Sequence, residues 1–406
     1  MNEPRTQMNL LASSGTQLPG YTRKRIGIVG GGQLAMLMGI AVARDALPYE
    51  LVILDPTANC PASRYAKQIV GSFANPTDIK TLASEVDVVT YEIELADPTA
   101  LRNCGKQVYP SPEALETIRD KYLQKKMLRE KGIAVADFMA VCDTTTLEEA
   151  IERFGIPGVL KARVGGYDGR GNVIIRKKKE VMPAYESLRQ QAQGLLLFEK
   201  YVPFSKELSV IAVRDINGKI ATYPVTENMH NNGILDKTIL PARISETATS
   251  KAVALAINTI AAFETVGTFG IELFLTKDNE VLVNEVAPRV HNSGHCTLDA
   301  AYTSQFRNHL QAVAGHELGI TALKTSSAVM INLIGPPATT GKYAICGAEL
   351  FKDRTDVFVY DYGKPGVNPN GRKIGHVTIL ADTPDITYLL EKAENIRQKI
   401  RIEITQ

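Results

Sequence analysis

Two apolar runs near the middle of the chain limit what it can become more than any other feature. They are GIELFLT (270–276) and VLVNEVAPRVHNSGH (281–295), joined by the polar residues KDNE (277–280). Apolar runs around a short polar turn read as an antiparallel hairpin. With Thr276 opposite Val281, the register sets Glu272 directly across from Glu285. Facing residues on antiparallel strands have Cβ atoms roughly 4.5–5.5 Å apart, and like charges there are destabilising. A positive group therefore belongs between them. Oxygen-only ligands suit a hard cation, and Mg²⁺ is held by one or two carboxylates, with water and phosphate completing its shell. The hairpin thus points to a magnesium–nucleotide site; the plainer reading is a solvated sheet face or lysine pairing. Strand alternation turns Asn284 to the opposite face.

At 406 residues the chain is too long for one ordinary core, so two or three domains are expected. A net charge of +2 lacks the basic excess of a nucleic-acid binder, and no apolar run approaches the ~20 residues of a membrane span. Cys60, Cys104, Cys142, Cys296 and Cys346 are odd in number and form no CxxC pair, which suits reduced thiols in a cytoplasm. Residues 1–22 are rich in Ser, Thr, Gly, Asn and Gln and read as an extension rather than a signal peptide.

IGIV (26–29), the glycine turn Gly30-Gly31-Gly32-Gln33 and a helical run open a parallel sheet. Gly30, Gly32 and Ala35 fit G-x-G-x-x-A, and Asp55 ends the next strand where a ribose-binding acid would sit, so a nucleotide-dependent oxidoreductase is one hypothesis. Further strands are expected at 69–73 and 86–94, the latter ending in Glu92 and Glu94. One long charged helix, ALETIRDKYLQKKMLREKG (114–132), follows, with Gly132 as its stop.

Lys161 then interrupts an apolar strand, which is costly unless it meets an anion. Gly165, Gly166, Gly169 and Gly171, with Arg170 among them, form a flexible turn whose N–H groups could close over phosphates. The alternative is a surface lysine on an edge strand beside an ordinary turn. LLLFEKYV (195–202) and Glu207 suit an adenine slot and a ribose acid, and His230 sits in a polar loop. Helices are expected over 245–265 and 297–315, and the tail carries Lys364, Arg372, Lys373 and His376 around a Gly/Pro/Asn loop, as a solvated rim or a phosphate grip.

The motifs GGGQLAMLM, KARVGGYDGRGN, ENMHNNGI, NEVAPRVHNSGH and GRKIGH, in this order, resemble the ATP-grasp superfamily. More narrowly they resemble its 5-(carboxyamino)imidazole ribonucleotide synthase family, from about Arg25 to the final helix. The resemblance implies an α/β architecture: an extension (1–22), a Rossmann-like pre-ATP-grasp domain with a parallel sheet (23–118), an ATP-grasp lid and central subdomain (119–196), an ATP-grasp catalytic domain (197–340) and a small β-rich C-terminal domain (341–406). It also implies that ATP, bicarbonate and aminoimidazole ribonucleotide give the N-carboxylated ribonucleotide, ADP and phosphate through carboxyphosphate, in purine biosynthesis, by a cytoplasmic homodimer.

By that resemblance Lys121, Lys161, Gly165 to Gly171, Glu199, Lys200, Tyr201, Val202, Glu207, His230, Asn284 and Glu285 would hold ATP, and Glu272 and Glu285 would hold Mg²⁺, or Mn²⁺ in its place. Tyr167, Asp168, Arg170, Arg289 and His291 would line the carboxylation site. Gln33, Glu92, Lys364, Arg372 and Lys373 would bind the ribonucleotide. A formate-dependent glycinamide ribonucleotide formyltransferase shares this architecture and differs in its acceptor; a non-enzymatic role is a third reading. The oxidoreductase reading leaves the entire central domain unexplained.

Overall fold

The strand Lys24–Val29 lies between Tyr49–Asp55 and Val88–Tyr91 in a four-stranded parallel sheet whose outer strand is Lys67–Val70. The computed structural model describes residues 23–166, 171–191, 194–337, 341–364 and 371–405. The helix Gln33–Arg44 follows the glycine turn and buries Leu34, Leu37 and Met38. Two strands differ from the apolar runs that announced them. The strand expected at 69–73 runs over Lys67–Val70, and the one expected at 86–94 stops at Tyr91. Glu92 and Glu94 fall beyond its carboxyl end, although Glu92 N still donates to the Val29 carbonyl at 2.9 Å.

The long charged helix is two helices, Pro112–Ile118 and Lys121–Glu130. Asp120 breaks it, because its side chain accepts from the N–H groups of Tyr122 and Leu123 and so starts a new helix. Gly132, at φ 72°, lies just past the end of the second, as expected of a helix stop.

A second sheet, antiparallel, has the strand order Phe138–Val141, Leu196–Lys200, Gly158–Ala162, Asn172–Ile175. Its core holds Leu160 and Phe198 from the sheet with Leu147, Ala150 and Leu188 from the covering helices. Lys161 is therefore on an inner strand and is 7% exposed, which rules out a surface lysine on an edge.

The largest sheet has nine strands and runs from Val281–Ala287 through Gly267–Thr276, Phe204–Arg214, Thr226–Asn231, Ile234–Leu240, Ser327–Ile334 and Lys373–Ala381 to Val357–Asp361, with Ile220–Thr222 beside Phe204–Arg214. The C-terminal strands thus continue the sheet that begins with the hairpin. A separate two-stranded ribbon joins Lys342–Cys346 to Arg401–Thr405. The helix Glu246–Ala262 packs Ala248, Ala252, Ala256 and Ile260 on the sheet, one row at four-residue spacing. The expected helix at 297–315 is divided into Thr297–Ala300 and Gln305–Ala314, the second capped by Ser304. Its Phe306 and Leu310 join the core of the N-terminal sheet, which ties the two units together.

The hairpin forms with a different turn register. Leu275, rather than Thr276, pairs with Val281, and a bulge after Glu272 restores the pairing of Glu272 with Glu285. Asn284 is the extra residue. A bulge re-aims the side chains beside it, so the expectation that Asn284 faces away is overturned: its Nδ2 lies 3.5 Å from Glu272 Oε2 and its Oδ1 3.4 Å from Lys161 Nζ.

Candidate active site

Three elements meet over the hairpin end. Glu272 and Glu285 stand opposite one another on the large sheet, Lys161 and Glu199 come from neighbouring strands of the smaller sheet, and Lys121 and Lys125 come from one face of the helix Lys121–Glu130. Residues four apart on a helix share a face. Contacts link them continuously. Lys121 Nζ is 2.5 Å from Glu285 Oε1, Lys161 Nζ is 2.9 Å and Lys125 Nζ 3.3 Å from Glu199 Oε2. On the far side His230 Nδ1 meets Glu207 Oε2 at 3.0 Å, and His291 Nε2 meets Glu272 Oε1 at 3.4 Å.

The electrostatics follow from this crowding. Burial and then the Glu285 charge push the Glu272 carboxyl up to about 7. Burial opposes ionisation of Glu285 as well, yet Lys121, with Lys161 and Lys125 behind it, holds that carboxyl below the usual range. Burial pushes the Lys125 ammonium down to about 8 against the pull of Glu199, which itself stays below the usual range because two lysines outweigh its burial. His230 is raised, since its bond to Glu207 outweighs burial. His291 is held well below its ordinary value by burial and by Arg289, so its imidazole is neutral at pH 7.

Two facing carboxylates, one of them reluctant to ionise beside the other, fit a divalent cation: it would relieve their repulsion, and Glu272, Glu285 and the Asn284 amide oxygen are all hard donors. Gly165 and Gly171 flank the glycine loop with φ of 76° and 86°, conformations that side-chain-bearing residues seldom adopt. Tyr167, Asp168, Gly169 and Arg170 lie outside the described residues. Gly166 is the last described residue before them. Lys200 is exposed, with its ammonium 3.9 Å from Asp137 and its N–H donating to the Asp137 carbonyl at 2.8 Å.

The N-terminal glycine turn is already occupied by the protein's own acids. Gly31 N donates to Asp55 Oδ2 at 2.9 Å and Gly32 N to Glu92 Oε1 at 2.7 Å. Asp55 and these amides are thereby removed from the diphosphate and ribose roles that an oxidoreductase needs. Burial pushes Glu92 up to about 7 despite the Gly32 bond and the opposing charges of Arg289 and Lys364. Lys373 starts a strand and its charge bears on His230 and His291, whereas Arg372 is exposed. Residues 365–370 of the intervening loop lie outside the described residues.

Arg289 binds Glu94, with Nε at 2.8 Å and Nη2 at 2.7 Å from Oε1. His291 Nδ1 meets Ser293 Oγ at 2.8 Å. Sequence reasoning gave no role to Lys125 and Gln124, set in a long charged helix, or to Asp120, whose carboxylate grips Arg163 (Nη2 to Oδ2, 2.5 Å) just before the glycine loop; Glu94 was noted with Glu92 at a strand end but not as a partner of Arg289. The four-residue spacing of Lys121 and Lys125 was the one available signal.

An antiparallel sheet bearing a lysine and a glycine loop, closing on a larger sheet that carries a carboxylate pair, defines an ATP-grasp enzyme. The ATP-grasp domain family matches residues 126–306, the ribonucleotide synthetase preATP-grasp domain 23–119 and the phosphoribosylaminoimidazole carboxylase C-terminal domain 328–388. The chain is 38% identical over 368 residues to the N5-carboxyaminoimidazole ribonucleotide synthase of Bacillus subtilis, covering 90% of this chain and 93% of that protein. It therefore belongs to the N5-carboxyaminoimidazole ribonucleotide synthase family. Among solved structures it matches the synthetase of Thermotoga maritima with a TM-score of 0.83 at 38% identity, covering 94% of this chain and 100% of that one. The enzyme of Aspergillus clavatus, solved with ADP and 5-aminoimidazole ribonucleotide, matches at 0.82 and 29% identity, covering 93% and 98%. The chain is also 39% identical to the phosphoribosylaminoimidazole carboxylase of Saccharomyces cerevisiae over 89% of its own length, but spans only 64% of that protein. No helix among the described residues is long and apolar enough to cross a membrane.

Proposed function

We propose that this protein uses ATP to join bicarbonate to the exocyclic amine of 5-aminoimidazole ribonucleotide, giving 5-(carboxyamino)imidazole ribonucleotide, ADP and phosphate in purine biosynthesis. The observation that carries this reading is the junction at one strand end: Glu285, paired with Glu272 and held among three lysines, is followed four and six residues on by Arg289 and His291. The relatives supply the substrates by name, since one was solved with ADP and 5-aminoimidazole ribonucleotide.

Bicarbonate is a poor electrophile and must be activated. Its oxygen attacks the γ-phosphorus of ATP, the bond to the β–γ bridging oxygen breaks, and ADP leaves, forming carboxyphosphate. This step calls for positioning and charge neutralisation rather than covalent catalysis. Lys161, steadied by Glu199 and Asn284, and Lys121 face the phosphates; Glu207 and His230 hold the far side of the nucleotide. Glu272, Glu285 and Asn284 would hold Mg²⁺, or Mn²⁺ in its place, which would supply positive charge to offset that of the phosphates.

The amine then attacks the carboxyl carbon, phosphate departs, and one proton is lost from nitrogen. His291 suits its removal, because a neutral ring can accept it and Ser293 fixes the ring's orientation. Arg289, braced by Glu94, orients the carboxyl group, while Glu92, Lys364 and Lys373 receive the ribonucleotide with Gln33 and Arg372 at the rim. Carboxyphosphate hydrolyses readily, so the glycine segment 165–171 serves to exclude water. The active form is a homodimer.

ADP release measured with each acceptor in turn tests this function. Turnover should require 5-aminoimidazole ribonucleotide together with bicarbonate. Stimulation by glycinamide ribonucleotide plus formate, without response to the first pair, would overturn it.

A further inference from the structure

The strand Val281–Ala287 is the edge of the nine-stranded sheet; its ladder partner there is Gly267–Thr276, and on its outer side Val283 makes a single parallel bridge to Val135. An edge strand leaves a row of outward N–H and C=O groups without ladder partners. Here those groups belong to residues beside the proposed metal and phosphate ligands, and one backbone carbonyl and two side chains answer them. Val283 N donates to the Ala134 carbonyl at 2.8 Å. Lys125 Nζ donates to the Asn284 carbonyl at 3.0 Å. Val286 N donates to Gln124 Oε1 at 3.0 Å, while Gln124 Nε2 donates back to the Val286 carbonyl at 3.1 Å.

A carboxamide offers the same donor and acceptor as a peptide unit. Gln124 therefore reproduces the two-bond exchange by which paired residues hold one another in an antiparallel ladder. Its Nε2 also donates to the Ile118 carbonyl at 3.0 Å, so all three bonds lie in the interior, with Gln124 and Lys125 each 1% exposed. The bulge makes this bracing consequential. Without the extra residue, the register of the Leu273–Val283 pair would continue to set Glu272 opposite Asn284 and turn Glu285 to the other face. The bonds to Asn284 and Val286 fall on either side of Glu285 and grip the chain at that point.

We propose that Gln124 and Lys125 are positioning residues: one helix turn stands in for a missing strand and fixes the bulge that presents Asn284 and Glu285 to the metal and the nucleotide. This rests on the nucleotide–metal reading of the cleft. Neither residue is assigned a contact with the reacting atoms; both act through the backbone of the ligands.

Gln124→Met keeps the length of the side chain and removes all three bonds. Steady-state assays on the full-length protein should show the KM for Mg²⁺ rising about tenfold or more and kcat falling by a similar factor, as when a ligand loses its supporting partner. The KM for 5-aminoimidazole ribonucleotide should stay within about twofold. Lys125→Met, which removes the other grip, should give the same division and serves where Gln124→Met yields no folded protein. A lowered melting temperature with the Mg²⁺ KM and the per-site kcat unchanged would show a merely structural role and overturn the proposal. Failure of the wild type to turn over Mg-ATP would instead strike the functional reading beneath it.

Discussion

Glu272 and Glu285 divide one problem between them. Facing acids cannot both be comfortably ionised, so Lys121 takes Glu285, and Glu272 is left near neutrality until a cation arrives. Replacing Glu285 by Gln removes a metal donor and strands the Lys121 charge. ADP release should fall by about a hundredfold or more, beyond the loss typical of an outer partner. At the other job of the junction, Arg289→Lys keeps the charge but loses the fork that grips Glu94. Acceptor-dependent turnover should fall about tenfold, while ATP hydrolysis supported by bicarbonate alone persists; equal losses in both assays would contradict the separation of roles. The acid pair was expected from a turn register one residue away from the real one, and the bulge at Asn284 restores the pairing. The place of Asn284 was not legible in the sequence, since a bulge costs no special residue and leaves no mark in the alternation. Lys125 was hidden because a helix rich in charge reads as solvated, and only packing against the edge strand shows that one lysine faces inward.

Among the elements, the break at Asp120 does most to shape the cleft. Its carboxylate caps the helix bearing Lys121, Gln124 and Lys125 and at the same time holds Arg163, one strand end away from the glycine loop. Both partners are largely buried, so Asp120→Ala removes a cap and leaves a guanidinium uncompensated. We expect a loss of about 2–4 kcal/mol, read from the urea midpoint, with Asp120→Asn losing less because asparagine also caps helices well. Equal stability of Asp120→Ala and wild type would show that the break is set elsewhere. The sequence reading ran one helix through this point, since helical composition continues on both sides and Asp120 sits among charges. The strands were easier to see than their ends: just past the strand the Glu92 side chain accepts from Gly32 N, a partner that local pattern cannot reveal.

At the scale of the molecule, the N-terminal and C-terminal parts close around the large sheet. Arg44 and Tyr360 both donate to Asp299 Oδ1 at 2.8 Å, and Arg64 Nη2 donates to the Tyr362 carbonyl at 3.0 Å. This arrangement also buries histidines. His309 is pushed down to about 4 and His376 to about 3 by burial, and His295 lies well below its ordinary value. Thr268 N donates to His309 Nδ1 at 3.1 Å, so a proton on that nitrogen would break a bond as well as charge the core. In the unfolded chain each histidine takes its proton near 6.5, while His309 in the folded protein waits until about 4. Between those values the unfolded state binds more protons, and stability falls as the pH drops, by up to about 1.4 kcal/mol per pH unit for each such histidine. The melting temperature should decline from pH 6.5 to 4, and His309→Gln should shallow that decline; an unchanged slope would contradict the assignment. The order of motifs made the family and the parallel, antiparallel and C-terminal units legible, but not that the C-terminal strands extend the hairpin's own sheet. That continuity depends on Ser327–Ile334 pairing with strands on both sides, which no local pattern encodes. The central claim is that the cleft phosphorylates bicarbonate before the ribonucleotide is carboxylated. Mass analysis of the phosphate released from ¹⁸O-labelled bicarbonate tests it most directly. One labelled oxygen should pass to phosphate in each turnover with 5-aminoimidazole ribonucleotide present, and phosphate carrying no label would contradict it.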